Sequence, residues 1–179
     1  QGQYVEVSMA EGMASAAGVP LLDFSVNGRD GVASGNQRQY AVPHEVYRCK
    51  GEDAWCAIAC TTDEEWAGLG RALTPAGGEA LPWTQDSRFA TLEGRLKHRG
   101  EIDEQLSEWT GGLTPRQAMV LLQNQGVPAA AVQTNEDMFF DHHLRARNYI
   151  VPITHGDTRW GTVEHPGFTA QLSETPARI

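Results

Sequence analysis

Apolar side chains recur at helical spacing in three stretches of the chain, which predicts three helices with one apolar face each. The stripes are formed by Trp66, Leu69 and Leu73, then Ile102, Leu106 and Trp109, then Ala118, Leu121 and Leu122. Thr62 with Glu65 forms a capping box before the first stripe, and Thr114-Pro115 starts the third. Gly111-Gly112 ends the second helix and Gly126 ends the third. The second helix carries acidic residues that we expect to face solvent: Glu101, Asp103, Glu104 and Glu108.

Apolar runs on both sides of a short polar turn predict a β-hairpin. Residues 45–50 and 54–60 flank Gly51-Glu52-Asp53. A further strand is predicted over 127–132, and Asn135 is predicted to cap a short helix after it. The tail predicts two more strands, around 150–153 and 160–163. Because helices and strands are interspersed along the chain, we expect a mixed α and β fold of the α/β class.

The first forty residues carry weaker signals. Residues 2–8 alternate like a strand, and since no start methionine, cap or leader precedes them, we expect the chain to begin within a fold. Residues 9–17 predict a helix that ends at Gly18, and Pro20 forbids its continuation. Residues 27–36 contain three glycines and no periodicity, which predicts a mobile loop. We call this segment the glycine loop.

Composition limits the partners of the chain. Its 179 residues, 40% of them hydrophobic, suffice for one sizeable core, or for a compact domain plus a segment that packs elsewhere. The 14 basic and 23 acidic residues give a net charge of -9, which disfavours nucleic acid and anionic membranes as partners. No apolar run approaches the roughly 20 residues that cross a bilayer, and no signal peptide is recognisable. We therefore expect a soluble, cytoplasmic protein.

Several kinds of reactive site are not indicated. The odd set Cys49, Cys56 and Cys60 lacks CxxC spacing, so reduced, buried thiols are expected rather than disulfides or a zinc site. The histidines that invite a metal hypothesis, beside Asp141, are His142, His143, His155 and His165. Adjacent histidines diverge by about 100° on a helix, so we predict no metal. The serines lack the nucleophile-elbow context.

The glycine loop is the main candidate for chemistry. Arg29, Arg38, Arg48 and Lys50 form a local basic excess around it in an acidic chain. Such a loop can bring backbone N–H groups to an anion or a developing oxyanion. It can equally be a solvent-exposed connector between two domains. The residues alone leave both interpretations open.

A series of short motifs, taken in order, resembles the family III (CaiB/BaiF type) coenzyme A transferases. After GQYVEVS at 2–8 and the glycine loop come PHEVYRCKGEDAWCAIA at 43–59 and DEEW at 63–66. The later motifs are DSRFAT at 86–91, GVPAA at 126–130, NED at 135–137, HLRAR at 143–147 and HPG at 165–167. The resemblance spans nearly the whole chain.

This resemblance implies an organisation and a reaction. Residues 1–40 would be the end of a large domain with a linker and the glycine loop, 41–148 a small α/β domain, and 149–179 a linker returning to the large domain. The parent protein would be an interlocked homodimer that moves coenzyme A between carboxylic acids through an aspartyl thioester. The family pattern puts that aspartate before residue 1, so no catalytic residue is assigned. Acyl-CoA and a carboxylic acid would be the substrates, with no tightly bound cofactor.

The resemblance also implies which residues meet the substrate. In related enzymes a glycine-rich segment ahead of the PHxxY-like motif closes over the aspartyl intermediate. The matching stretch contains Gly28, Gly31, Gly35 and Asn36, and His44 stands in the PHxxY-like motif that follows. We expect them to bind substrate, because a glycine cover can exclude water while its amides face the intermediate.

Two other functions remain in view. Some relatives are acyl-CoA racemases that use a His/Asp pair supported by a glutamate after the hairpin. Near that place this chain has Thr61-Thr62-Asp63, which favours the transferase. A stand-alone α/β binding module without chemistry is the alternative from a different class.

Overall fold

A three-stranded antiparallel sheet organises the middle of the molecule. In the computed structural model, which describes residues 2–74, 78–79, 81–156 and 159–176, the strands are β1 (His44–Arg48), β2 (Trp55–Ala59) and β3 (Ala129–Ala131). Their order is β1-β2-β3, with His44 opposite Ala59 and Cys56 opposite Ala131. Asp53 adopts φ 46° in the turn between β1 and β2, so the predicted hairpin is confirmed. A separate two-stranded ribbon joins β4 (Ile150–Thr154) to β5 (Thr162–Pro166).

Eight α-helices lie within the described residues. They are α1 (Met9–Ala16), α2 (Gly18–Asn27), α3 (Asp63–Leu73), α4 (Leu92–Lys97), α5 (Arg99–Gly111), α6 (Pro115–Gln123), α7 (Asn135–Phe139) and α8 (His142–Ala146). Short 3-10 turns occupy Pro82–Gln85 and Ser87–Phe89. Both predicted N-caps form: Thr62 closes the first turn of α3 in the expected capping box with Glu65, and Thr114 caps α6 ahead of Pro115. Gln117 completes a second capping box at Thr114, which was not predicted. The mixed helix and strand content confirms the predicted fold class.

The core lies where helices α3 to α6 pack on the sheet. Every described residue classed as buried falls between Ala41 and Val127. Phe89 is fully buried in this core. Its ring makes an edge-to-face contact with Trp66, with 6.2 Å between the ring centroids. Ile102 and Leu106 of α5 are fully buried, as the helical stripe predicts. The three thiols are buried and free, as expected.

Helices α1 and α2 do not join this core. Both helices lack a buried residue, although they carry several large apolar side chains. Their exposed side chains include Met9, Met13, Val19, Leu21, Leu22, Phe24 and Val26. Pro20 was predicted to stop helical structure, but it sits in the first turn of α2, where its missing N–H is not needed.

The prediction of a strand over residues 2–8 is wrong. These residues, all of them described, form neither helix nor strand, and Tyr4 is 88% exposed. An alternating pattern becomes a strand only when a neighbouring strand accepts its hydrogen bonds, and none of the described strands pairs with it.

Three smaller expectations also need correction. Asp103 borders the buried face of α5 because it follows Ile102, and it is partly buried rather than solvent-facing. Leu121 is 42% exposed, since the buried face of α6 passes through Ala118 and Leu122. The cap of α7 is Thr134, one residue before the predicted Asn135.

The predicted division into 1–40, 41–148 and 149–179 stays a prediction. In the described part of the chain, no helix is long and apolar enough to cross a membrane.

Candidate functional site

The glycine loop leaves α2 through a left-handed residue. Gly28 has φ 65°, and its N–H donates to the Phe24 carbonyl at 2.8 Å, which ends the helix. Gly35 has φ 57° near the other end of the loop. Positive φ values cost a side-chain-bearing residue free energy, so these two positions favour glycine. Residues 28–36 are all exposed.

The downstream end of the loop is fixed to the start of β1. The Asn36 side-chain amide donates to Glu45 Oε1 at 2.5 Å. The Nδ1 of His44 donates to the Asn36 carbonyl at 2.6 Å, which sets the tautomer of the imidazole. The structure therefore brings Asn36 and His44, two of the predicted substrate-binding residues, into direct contact.

Arg99 holds the two residues that follow. Its guanidinium donates to Gln37 Oε1 at 2.8 Å and to the Arg38 carbonyl at 2.5 Å. Arg99 is the first residue of α5 and lies about sixty positions further along the chain. The contact ties the end of the glycine loop to a helix of the core.

The upstream end of the loop is held by α2. Asp23 accepts hydrogen bonds from Asn27 at 2.7 Å and from Arg29 at 2.7 and 3.0 Å. The hydrogen bonds from Asn27 and Arg29 lower the pKa of the Asp23 carboxyl. These groups belong to α2 and the loop itself, so among the described residues this end has no contact with the core comparable to that of Arg99.

The predicted basic cluster does not assemble. Arg29 is paired with Asp23, and Arg38 donates to the backbone carbonyls of Gly35 and Gln37. Arg48 is four residues along β1 from His44, about 13 Å away at strand spacing, and Lys50 lies further still. The four cations therefore do not converge on the loop.

Gly31, the remaining glycine among the predicted site residues, also lies in the exposed loop. At Gly31 an added methyl group would come within 3.7 Å of Pro20, an ordinary contact, so no tight packing demands glycine there. The structure thus joins Asn36 and His44 and leaves Gly28, Gly31 and Gly35 on the open part of the loop.

Beneath the anchored end lies a polar pair that the sequence did not reveal. The Tyr47 hydroxyl donates to Asp103 Oδ1 at 2.6 Å. Burial raises the pKa of the Asp103 carboxyl, and the Tyr47 hydrogen bond and the positive charge of Arg99 oppose that rise. Burial, followed by the bond to Asp103, raises the pKa of Tyr47. Tyr47 therefore stays a neutral donor at physiological pH.

The Glu65 carboxylate is held by hydrogen bonds from the segment that follows the hairpin. Glu65 Oε2 accepts from the Thr61 N–H at 2.6 Å, the Thr61 hydroxyl at 2.9 Å and the Thr62 N–H at 3.1 Å. Burial raises the pKa of Glu65, but the hydrogen bonds from Thr61 and Thr62 outweigh it and leave the pKa lowered. Glu65 acts here as a helix cap.

Sequence reasoning missed Glu45, Gln37 and Arg99. Their contacts join positions 9 to 62 residues apart, and such pairs leave no local pattern. Within the described ranges, no group of three or more His, Cys, Asp and Glu side chains is placed to hold a metal ion.

A cavity of about 300 Å³ lies away from the loop, between the β4–β5 ribbon and the tail. Its lining includes Arg147, Val151 and Phe168 and none of the predicted substrate-binding residues.

Known proteins resemble the chain, in one case over its full length. The model of CoA-transferase family III matches residues 1–179. The succinyl-CoA–D-citramalate CoA-transferase of Chloroflexus aurantiacus is 27% identical over 179 residues, which cover 100% of this chain and 42% of that protein. A probable CoA-transferase of Mycobacterium tuberculosis, Rv1866, is 36% identical over 112 residues, 63% of this chain and 14% of that protein.

A solved structure shares the fold. The CaiB/BaiF family protein from Brucella suis superposes with a TM-score of 0.76 at 23% identity, covering 98% of this chain and 43% of that one. The chain thus spans less than half the length of each of these three proteins. The family model covers all 179 residues, and the chain therefore belongs to CoA-transferase family III.

Proposed function

We propose that these residues form the substrate-covering part of an acyl-CoA:carboxylate CoA transferase, whose attacking aspartate lies outside residues 1–179. The observation that carries the proposal is the family match over the whole chain, together with a loop that is exposed along its length and anchored at one end. The relatives are more than twice as long, which leaves room for a separate catalytic part.

The proposed reaction explains why a cover is needed. The aspartate oxygen attacks the thioester carbonyl, CoA leaves as thiolate, and an enzyme-bound anhydride forms. The thiolate then attacks the aspartyl carbonyl, which releases the donor acid and leaves an aspartyl thioester. The acceptor carboxylate reverses the sequence. Because water competes with both nucleophiles, a cover that excludes water favours transfer over hydrolysis.

The glycine loop suits this role. Gly28, Gly31 and Gly35 let backbone amides approach an acyl group closely, and Asn36 with His44 fixes where the loop ends. Acyl-CoA and a carboxylic acid are the proposed substrates, with CoA entering and leaving rather than staying bound. We propose that the parent protein is a cytoplasmic homodimer whose two chains interlock.

Glu65 favours the transferase over the racemase alternative. A proton-shuttling carboxylate works best with a pKa near the operating pH. Glu65 has a lowered pKa and accepts three hydrogen bonds from Thr61 and Thr62. Glu65 is therefore a weak base.

The test compares residues 1–179 with the entire reading frame that encodes them. Succinyl-CoA is mixed with D-citramalate or another dicarboxylic acid, and the CoA ester of the acceptor is followed by chromatography. We expect ester formation by the complete gene product and none by residues 1–179.

Three outcomes would overturn the proposal. Turnover by residues 1–179 would place the nucleophile within them. Exchange of α-protons of acyl-CoA with solvent, without CoA transfer, would identify a racemase. A stop and start codon directly before Gln1 would identify the stand-alone binding module.

A further inference from the structure

The end of the glycine loop is fixed from two directions. Glu45 on β1 accepts from the Asn36 side chain, and Arg99 on α5 donates to Gln37 and to the Arg38 carbonyl. Three consecutive residues are thus held by two different core elements. A backbone carbonyl held by a charged donor is fixed more firmly than one bonded to water.

Arg99 is itself well placed for this task. Ile102, three residues further along α5, is fully buried, so the first turn of the helix is tied to the core. Asp103 lies one turn from Arg99 and attracts it, and Asp103 in turn accepts from the Tyr47 hydroxyl at 2.6 Å. The planar guanidinium can serve two acceptors at once, which a lysine ammonium on a flexible stem does less well.

Freedom of movement remains upstream of this contact. The Gln37 N–H closes a turn on the Ser34 carbonyl at 3.0 Å, with φ 57° at Gly35, so the held segment reaches back to Ser34. Residues 28–33, upstream of that turn, are exposed. The other end follows α2, which has no buried residue. A cover with one fixed end closes along a defined path, whereas a cover with two loose ends does not.

We propose that Arg99 is a positioning residue of the glycine loop: its contacts with Gln37 and Arg38 fix the end about which the loop closes over acyl-CoA. The role rests on the proposed function, because it concerns the cover of that same site. Arg99 acts through the loop backbone and does not itself touch the reacting atoms.

Trypsin provides a test, since it cleaves after both Arg29 and Arg38. The Arg38 carbonyl that Arg99 holds is the scissile carbonyl, so Arg99→Gln should speed cleavage after Arg38 by about tenfold, as expected from the loss of a charged hydrogen bond. Cleavage after Arg29 should not change, because Arg29 pairs with Asp23. Arg99→Lys keeps the charge and should fall between wild type and Arg99→Gln. Rates are read from fragment masses on the 179-residue chain.

Arg116→Gln is the matched control, because Arg116 is an exposed arginine in the first turn of α6. We expect it to change neither rate. Unchanged cleavage after Arg38 in Arg99→Gln would overturn the inference. Equal acceleration after Arg29, Arg38 and Arg48 would also overturn it, because it would reveal general destabilisation.

Succinyl-CoA separates this inference from the proposed function. In the complete gene product it should slow cleavage after Arg29 as the loop closes, and Arg99→Gln in that same protein should lose the protection. If succinyl-CoA protects nothing in wild type while Arg99→Gln still opens the Arg38 site, the anchoring role stands and the proposed function fails.

Discussion

Two regions of the molecule have similar apolar content and opposite burial. Between residues 41 and 127 the apolar faces of α3, α5 and α6 meet the sheet, and Phe89 is fully enclosed. In residues 2–40, α1 and α2 are just as apolar, yet Phe24 is 60% exposed and neither helix buries a residue. Helical pattern alone therefore does not decide burial. A helix buries its apolar face only where other elements present a matching surface.

The comparison separates stability from function. The packed region supplies the free energy of folding, while the exposed region carries the glycine loop that we propose covers the substrate. Loops that close over substrates come from the least stable parts of a protein, because they must open again. The two regions meet at Asn36, Gln37 and Arg38, where Glu45 and Arg99 hold the loop.

A matched pair of phenylalanine truncations should show the largest difference between the two regions. Phe89→Ala removes a fully buried ring that contacts Trp66 and should lower the free energy of unfolding by about 3–5 kcal/mol. Phe24→Ala removes an exposed ring from α2 and should change it by less than about 0.5 kcal/mol. Urea unfolding followed by tryptophan fluorescence measures both. Similar losses for the two variants would show that α2 belongs to the same cooperative unit.

A smaller effect is expected at the polar pair beneath the loop anchor. Tyr47→Phe deprives the partly buried Asp103 carboxylate of its donor and should cost about 1–3 kcal/mol at neutral pH. The same urea titration at pH 7 measures this loss. A stability equal to wild type would mean that solvent replaces the Tyr47 hydroxyl.

The pH dependence of this pair has a definite sign. Burial raises the pKa of Asp103, so the folded state binds its proton more tightly than the unfolded state. The contribution of Asp103 to the free energy of unfolding therefore falls as pH rises from about 3.9, the ordinary value, through the raised pKa. Asp103→Asn should abolish that slope in unfolding measured across the acidic range. A slope that persists unchanged would assign it to other carboxyls.

The N-cap residues of α3 and α1 should differ in the same way, by a smaller amount. Thr62→Ala removes the cap of α3 and should cost about 1 kcal/mol, because α3 packs in the core. Ser8→Ala removes the cap of α1, which buries nothing, and should leave global unfolding unchanged. Circular dichroism during urea unfolding tests the pair. Equal losses would contradict the separation of the two regions.

The three cysteines of the packed region should not react with thiol reagents in the folded protein. Burial raises the pKa of Cys56 to about 11 and that of Cys60 to about 12, and Cys49 is also buried with a raised pKa. None of the three should react with a thiol reagent such as DTNB until urea unfolds the protein. Ser15→Cys, on the exposed α1, should react at once and provides the control. Rapid labelling of the native wild type would show that the core opens locally.

Local signals in the sequence predicted the local structure well. The hairpin of β1 and β2 and the capping box of α3 formed as expected, because their turn and cap residues lie within a few positions of each other. The prediction of a strand at 2–8 failed because a strand forms only when a neighbouring strand pairs with it. The prediction that Asp103 faces solvent failed because Asp103 borders the buried stripe of α5 and accepts a hydrogen bond from Tyr47, 56 residues away in the sequence.

The candidate site was only partly predictable for the same reason. The resemblance pointed to Asn36 and His44, and the structure brings them into contact. Glu45 and Arg99, which hold the same segment, act across the fold and carry no motif of their own. Residues that position a loop are recognised from three-dimensional contacts rather than from spacing.

Intact-mass spectrometry gives the most decisive test of our proposal that these residues cover a thioester exchange whose nucleophile lies elsewhere. After incubation of residues 1–179 with succinyl-CoA and denaturation, we predict an unmodified mass, because the three thiols are buried and the proposed nucleophile lies outside these residues. A mass increase equal to one CoA thioester or one succinyl group, mapped to an aspartate or glutamate of this chain, would contradict it.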